Sequence, residues 1–433
     1  MLGHSALSQT PLSSLPSTVT AYTMVAGAGS YALTGNSASL LQGRKLVAAS
    51  GSYSLTGNSV SLLSGRKLVA TAGSYALTGT AASLLAARKL TATSGSYSLT
   101  GTAATLNFTR KLVADAGSYA LTGNTASLLF TRKLTADAGT YSLTGSAVGL
   151  YKGRTLYADA GSYSLTGNTA ALKFTRILTA TSGSYSLTGN DVAFFKGKTM
   201  IAEAGSYALT GLDAALRKTS ILSAESGAYT LTGLSVAFPH TYRLTCNLGS
   251  YALTGNDVAF PRIYRLTGTA GTYSLTGLSA GLFKGRTLVA DAGSYVLTGN
   301  AATLTAARRL AANAGSYTLT GLDTSLLQGR KLVCANGVYS LTGNDAALRK
   351  ASILTANSGS YVLTGNAVNT LLGRKLVANS GTYQLVGLDA DFTLFVIIRY
   401  PLSVSINSGR TFSAIGDGTT KVNIGSGKTF TEI

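Results

Sequence analysis

Pairs of cations recur in this chain at one fixed interval. Arg44-Lys45, Arg66-Lys67, Arg88-Lys89, Arg110-Lys111 and Arg132-Lys133 each stand 22 residues from the next, and Arg308-Arg309, Arg330-Lys331 and Arg374-Lys375 resume the pattern further on. Guanidinium and ammonium groups repeated along a line make a ridge able to track a phosphate-rich polymer or an anionic cell surface. A solvated corner offset by nearby acids is the plainer reading of the same residues. Carboxylates recur too, at Asp191, Asp213, Asp257, Asp323, Asp345 and Asp389, and again at Asp115, Asp137, Asp159, Glu203, Glu225 and Asp291. Paired carboxylates on a β-scaffold can be glycosidase machinery. A catalytic pair is a singular break in a pattern, however, and these acids form columns, so turn capping and ion pairing are the expected roles. The two histidines, His4 and His240, are too few for a His-based metal cluster or a Ser-His-Asp triad. GSGKT at 425–429 fails as a phosphate-binding loop because Val422 stands where the first glycine is needed. The chain is therefore read as a non-enzyme with no catalytic residue, no metal and no cofactor.

The elements that must position these groups come from a longer repeat. Seventeen glycines, from Gly29 to Gly381, are spaced by 22 residues without an insertion or deletion, and each is followed two residues later by a tyrosine. A fixed period of this length marks a unit that gains stability by stacking on copies of itself. With the opening glycine as slot 1, apolar residues fall at slots 3 and 5 (Tyr31, Leu33), 10 and 12 (Ala38, Leu40) and 18 and 20 (Leu46, Ala48). Each pair has the period of two expected of a strand with one buried face. Glycines at slots 1 and 7, and often at slot 15 (Gly43, Gly65), mark corners, for which a positive φ is the expected reason. Three short strands and three bends make one coil of a solenoid. The expected fold is all-β, a parallel β-solenoid of about 17 coils, 22 residues per coil and three short strands per coil. An intertwined trimeric β-shaft fits the same pattern.

Tyr31, Leu33 and Gly35, repeated as Tyr53, Leu55 and Gly57, are the expected structural ladder. A buried phenol wants a partner, so the tyrosines are expected at a corner with the hydroxyl in solvent. Slot 13 carries Leu41, Leu63, Leu85, Leu129, Phe195, Phe283, Leu327 and Leu371, an outward apolar stripe that predicts lateral self-association, with a homotrimer favoured. Slots 2, 4 and 6 give a hydroxyl-rich face, as in Ser52, Ser54 and Thr56. It resembles the face of ice-binding solenoids, although close packing between neighbouring rods is the favoured role.

Composition agrees with an ordered, elongated body. Hydrophobic residues make up 45% of the 433 and charged residues 12%, too apolar for a disordered chain. The formal charge of +20 favours polyanionic partners. Cys246 and Cys334 occupy the small slot 20, and four coils at about 4.8 Å per coil hold them beyond the reach of a disulfide. No signal-peptide pattern and no apolar membrane span is evident. Three segments are expected: 1–26 as an attachment arm or cap, 27–391 as a shaft about 80 Å long, and 392–433 as a β cap or tip. The last of these contains the related tracts SGRTFSAI and SGKTFTEI.

The repeated GSYALTGN tract, followed by GRKL, resembles repeats of virion-associated proteins from tailed bacteriophages and prophages of alphaproteobacteria. The opening, LGHSALSQTPLSSLPS, is similar to short N-terminal arms of phage structural proteins. The resemblance implies a tail-fibre or spike subunit assembled in the host cytoplasm, displayed on the virion, docked to other virion proteins through the arm and serving as a rigid spacer for host attachment. It carries no active-site residue with it. A bacterial surface adhesin or extracellular filament subunit binding anionic glycans is the alternative, and a polysaccharide depolymerase a third reading. No specific nucleic acid is expected as a partner.

Overall fold

The computed structural model describes residues 18–394, other than 65, 87, 109, 131, 152, 174–175, 238–240, 261–262, 357, 379–381 and 388, together with strands Ser403–Ile406, Thr411–Ala414, Lys421–Ile424 and Thr429–Glu432. All regular structure among the described residues is β. One coil shows the plan: strands Ser74–Thr78, Ala81–Ala86 and Lys89–Ala92 follow one another around three faces. The next coil lays Ser96–Thr100 on the first of these, with Tyr97 opposite Tyr75 and Leu99 opposite Leu77. Ala104 and Leu106 lie opposite Ala82 and Leu84, and Leu112 opposite Leu90. All these pairings are parallel and in register, so like residues form columns.

The chain is a parallel β-solenoid with about 22 residues per turn and three strands per coil. Its coils close within one chain and not between three. In several coils the second and third strands run together, as in Asp323–Cys334, where Gly329 at the corner pairs with Ala307 and Ala351.

Two compact units are distinguished, one of residues 1–198 with 205–211, the other of residues 199–204 with 212–433. In the first, the first-face strands stack from Ser30–Thr34 to Ser206–Thr210. In the second they stack from Ala228–Thr232 to Thr382–Val386. Each core consists of the predicted slots. Tyr97, Leu99, Ala104, Leu106, Leu112 and Ala114 are fully buried in the first unit, and Tyr295, Leu297, Ala302, Leu304, Leu310 and Ala312 nearly so in the second.

The glycines are required for a different reason from the one expected. Gly117 and Gly123 do not take a positive φ; instead, a Cβ on Gly123 would overlap the carbonyl oxygen of Gly101, and one on Gly117 would overlap the Gly95 carbonyl oxygen and the Ala92 methyl. Stacked corners approach so closely that only hydrogen fits between them. Gly35, in the first coil, meets nothing within 4 Å.

The ends extend the stacking. Thr18–Ala26 pairs in parallel with Ser37–Ala48, which covers the edge of the first coil. After Thr382 the interval shortens: Thr382 lies opposite Ser403, and Ser403 opposite Lys421, so the pairing offset falls to 21 and then 18 residues. The two related C-terminal tracts share that shorter offset, with Thr411 opposite Thr429 and Phe412 opposite Phe430.

Candidate functional site

The tyrosine ladder fixes the strand that carries the cations. Successive phenol rings stack at 5.0 Å between Tyr53 and Tyr75 and at 4.8 Å between Tyr97 and Tyr119, with planes within 3° of parallel. Their hydroxyls are not in solvent, contrary to expectation. Tyr97 donates to the Thr91 carbonyl at 3.0 Å, Tyr119 to Val113 at 3.1 Å and Tyr295 to Val289 at 2.8 Å. Each bond reaches back six residues across a corner, from slot 3 to the slot 19 carbonyl of the third strand. Tyr53 differs, its hydroxyl being buried without a hydrogen-bond partner among the described residues. Burial first, and the neighbouring phenols second, push the pKa of Tyr97 and Tyr141 well above the usual tyrosine value. These phenols stay protonated and serve as struts.

On the outer side of that third strand lie the lysines. Lys67 is opposite both Lys45 and Lys89, Lys111 opposite Lys89, and Lys133 opposite Lys111. Each arginine stands one position earlier, at the corner, where its carbonyl accepts the N–H of the next lysine: Lys89 to Arg66 at 3.0 Å, Lys111 to Arg88 at 3.1 Å, Lys133 to Arg110 at 3.0 Å. Arg66, Arg88, Arg110 and Arg132 are exposed, as are Lys45, Lys67, Lys89, Lys111 and Lys133. The side chain of Arg44 lies outside the described residues. The first unit thus presents a cation pair on each of successive rungs, roughly 4.8 Å apart.

The Lys133 ammonium sits 5.0 Å from the centroid of the Tyr157 ring, and slot 19 residues Thr91, Val113 and Thr135 are buried although they point outward. Beyond Lys133 the lysine column ends at Thr155 and Ile177, while exposed Arg154 and Arg176 prolong the arginine column. In the second unit slot 17 is held in turn by Ile221, Arg243, Arg265, Thr287, Arg309 and Lys331, so the column is interrupted. The side chains of Arg308, Arg330, Arg374 and Lys375 lie outside the described residues.

The acids stand at two other corners. Asp115, Asp137 and Asp159 occupy slot 21 on successive coils of the first unit. Partial burial, followed by the two flanking carboxylates, raises the Asp137 pKa above the usual value, with Lys133 opposing. Thr181 Oγ1 donates to Asp159 Oδ1 at 3.2 Å, and Asn313 Nδ2 to Asp291 Oδ1 at 2.7 Å. The slot 9 acids Asp191, Asp213, Asp257, Asp323 and Asp345 are exposed. A whole first strand, about 17 Å of extended chain, separates slot 21 from slot 9. Among the described residues, no three His, Cys, Asp or Glu side chains are grouped to hold a metal ion. His4 and His240 lie outside the described residues.

Cys246 and Cys334 are free and buried, each thiol bonded to a carbonyl 2.7 Å away, that of Gly249 or Gly337. Burial pushes the thiols up to about 12 and about 11, away from reactivity.

The apolar stripe is displaced from its expected slot. Leu41, Leu63, Leu129 and Leu327 of slot 13 are half-buried and Leu85 is 39% exposed; the side chains of Phe195, Phe283 and Leu371 lie outside the described residues. Greater exposure occurs at slot 8 of the second unit, where Leu212, Leu234, Leu278 and Leu322 are 52–55% exposed. Their recurrence was visible in the sequence, but Asn36, Asn58 and Asn124 hold that slot in the first unit and gave it the look of a polar bend. On the hydroxyl face, Ser52 and Ser54 are half-buried and Thr56 is exposed.

No protein-family model, curated protein or solved structure matches this chain. No helix among the described residues is long and apolar enough to cross a membrane.

Proposed function

We propose that this chain is a structural fibre or spike subunit of a bacteriophage virion, in which the solenoid is a stiff spacer and host attachment is the end it serves. The observation that carries the reading is the uninterrupted in-register interior. In the first unit the phenol ladder runs from Tyr31 to Tyr207 over roughly 40 Å, and every rung repeats the same Tyr, Leu and Ala columns. Such a body holds whatever it carries at a set distance. Parallel strands bonded on both sides leave little backbone for a protease, because cleavage requires local opening. The resemblance of the repeats and of residues 2–17 to virion proteins supplies the setting. Self-association as a homotrimer would cover the exposed leucines.

The test uses particles and purified chain together. An epitope-tagged chain is expected on purified virions by immunogold labelling, and as a trimer by light scattering in solution. Removing residues 400–433 is expected to reduce adsorption while the tyrosine ladder persists. Particles that never carry the tag would overturn the virion reading, and a strictly monomeric chain would overturn the trimer.

A further inference from the structure

We infer that the cation column of the first unit is a binding track for a linear anionic polysaccharide, which lies parallel to the stack of coils. The inference does not depend on the virion assignment. Lys67, Lys89, Lys111 and Lys133 are held opposite one another by the pairing of their own backbones, so like charges stand at rung spacing at an electrostatic cost. Repulsion between neighbours is built into the register and is relieved by an anion that spans rungs.

The compensation available within the chain is confined to one end. Beside Lys45, Lys67 and Lys89, slot 21 carries Ala49, Thr71 and Thr93, whereas acids begin only at Asp115. The early coils are therefore cationic without an offset, and the acids mark where the track ends. A small anion would meet two or three cations. A polymer meets the same pair on every rung and gains from all of them, with counterion release adding to the gain.

The shape of the column selects among polymers. Its charges lie in a line set by strand stacking, while each duplex DNA strand winds about its axis and would leave a straight track after a short arc. Single-stranded nucleic acid needs exposed aromatic platforms for its bases. Among the described residues, the Tyr157 and Tyr151 rings already have the ammonium groups of Lys133 and Lys173 over them, at 5.0 Å and 5.3 Å. An extended glycan bearing carboxylate, sulfate or phosphate groups requires neither a groove nor a stacking platform.

The experiment measures binding of the full-length chain to a sulfated glycan (heparin), a carboxylated one (polygalacturonate), neutral dextran and a DNA duplex of matched charge. Low salt keeps the field from being screened within about 10 Å. Binding to at least one anionic glycan and none to dextran is expected, and the preferred glycan identifies the anion. Replacing Lys67, Lys89 and Lys111 together by Gln should weaken glycan binding by ~10-fold or more and flatten its salt dependence. Replacing Arg243, Arg265 and Lys331 by Gln removes the same charge from the second unit and should change affinity less than about 2-fold. Equal losses from the two triple variants would reduce the effect to diffuse net charge and overturn the proposal. Tighter binding of the duplex than of either glycan would overturn the choice of polymer. Tyrosine near-ultraviolet dichroism reports whether each variant keeps its ladder, so loss of fold is separable from loss of binding.

Discussion

The two units share an interior and differ on the surface. Both stack tyrosines at nearly the same spacing, 4.9 Å between Tyr119 and Tyr141 and 4.7 Å between Tyr295 and Tyr317, and both bury the same leucine and alanine columns. Outside, the first unit has an unbroken run of lysines from Lys45 to Lys133 and polar residues at slot 8, whereas the second interrupts the lysines and mixes leucine with asparagine at slot 8. The difference separates two kinds of constraint. A residue inside a column must match the residues above and below, because a change of volume strains its neighbours in both directions. A residue outside answers only to solvent and to a partner. What is specific to this protein should therefore be sought where its units differ.

Alkali should test the shared interior most severely. Tyr97, Tyr119 and Tyr141 in the first unit, and Tyr273, Tyr317 and Tyr339 in the second, have folded-state pKa values raised chiefly by burial. An unfolded phenol ionises near about 10. Below that pH both states are protonated and the ladder's contribution is intact; above it the unfolded chain releases protons that the folded chain retains, and stability falls as pH rises. Circular dichroism is expected to hold to about pH 10 and then collapse in both units. A unit that persisted with ionised tyrosines, seen by their absorbance, would break the comparison.

Single substitutions sharpen it. Tyr119→Ala and Tyr295→Ala should each cost about 3–5 kcal/mol, the usual price of an aromatic cavity, and the two values should agree within about 1 kcal/mol. Hydrogen exchange in the flanking coils can locate each loss, since unfolding of a repeat array need not be two-state. A smaller contrast separates an inner coil from an edge. Gly123→Ala drives a methyl into the Gly101 carbonyl and should cost about 1–3 kcal/mol, while Gly35→Ala has open space and should change stability by less than about 0.5 kcal/mol. Equal effects would mean that local conformation, not close approach, makes glycine necessary.

The smallest expected effect is a gain. The Thr135 hydroxyl is buried without a hydrogen-bond partner among the described residues, and Val113 occupies the same slot one coil earlier. Thr135→Val should stabilise by about 1 kcal/mol in denaturant unfolding. A loss instead would show that the hydroxyl has a partner supplied by solvent.

Much of the fold was legible because a solenoid writes its geometry directly into spacing. Tyr31, Leu33, Ala38, Leu40, Leu46 and Ala48 were assigned to three inward-facing strand pairs by alternation alone, and the strands run there. Less legible was anything that depends on the neighbouring coil. The glycines read as turn residues, since one repeat viewed alone cannot reveal that Gly123 faces the carbonyl of Gly101. The phenols read as corner residues, since a hydroxyl that finds the slot 19 carbonyl six residues earlier is visible only once the corner is closed. The cation column was plain in sequence as a recurrence. That Thr91 and Thr135 are buried beside it, and that Arg66 and Arg88 tether the following lysines through their carbonyls, was not.

The constant offset has a consequence for heredity. Within each unit the first-face strands between Ser30 and Val386 pair at one offset of 22 residues, so an in-frame duplication or loss of one complete repeat joins two surfaces that already match. Recombination between near-identical gene segments would then change the number of rungs without creating a misfit, whereas any shift that is not a whole repeat would set tyrosine against a smaller neighbour. Length is the property of this protein that mutation can alter most cheaply, one coil at a time.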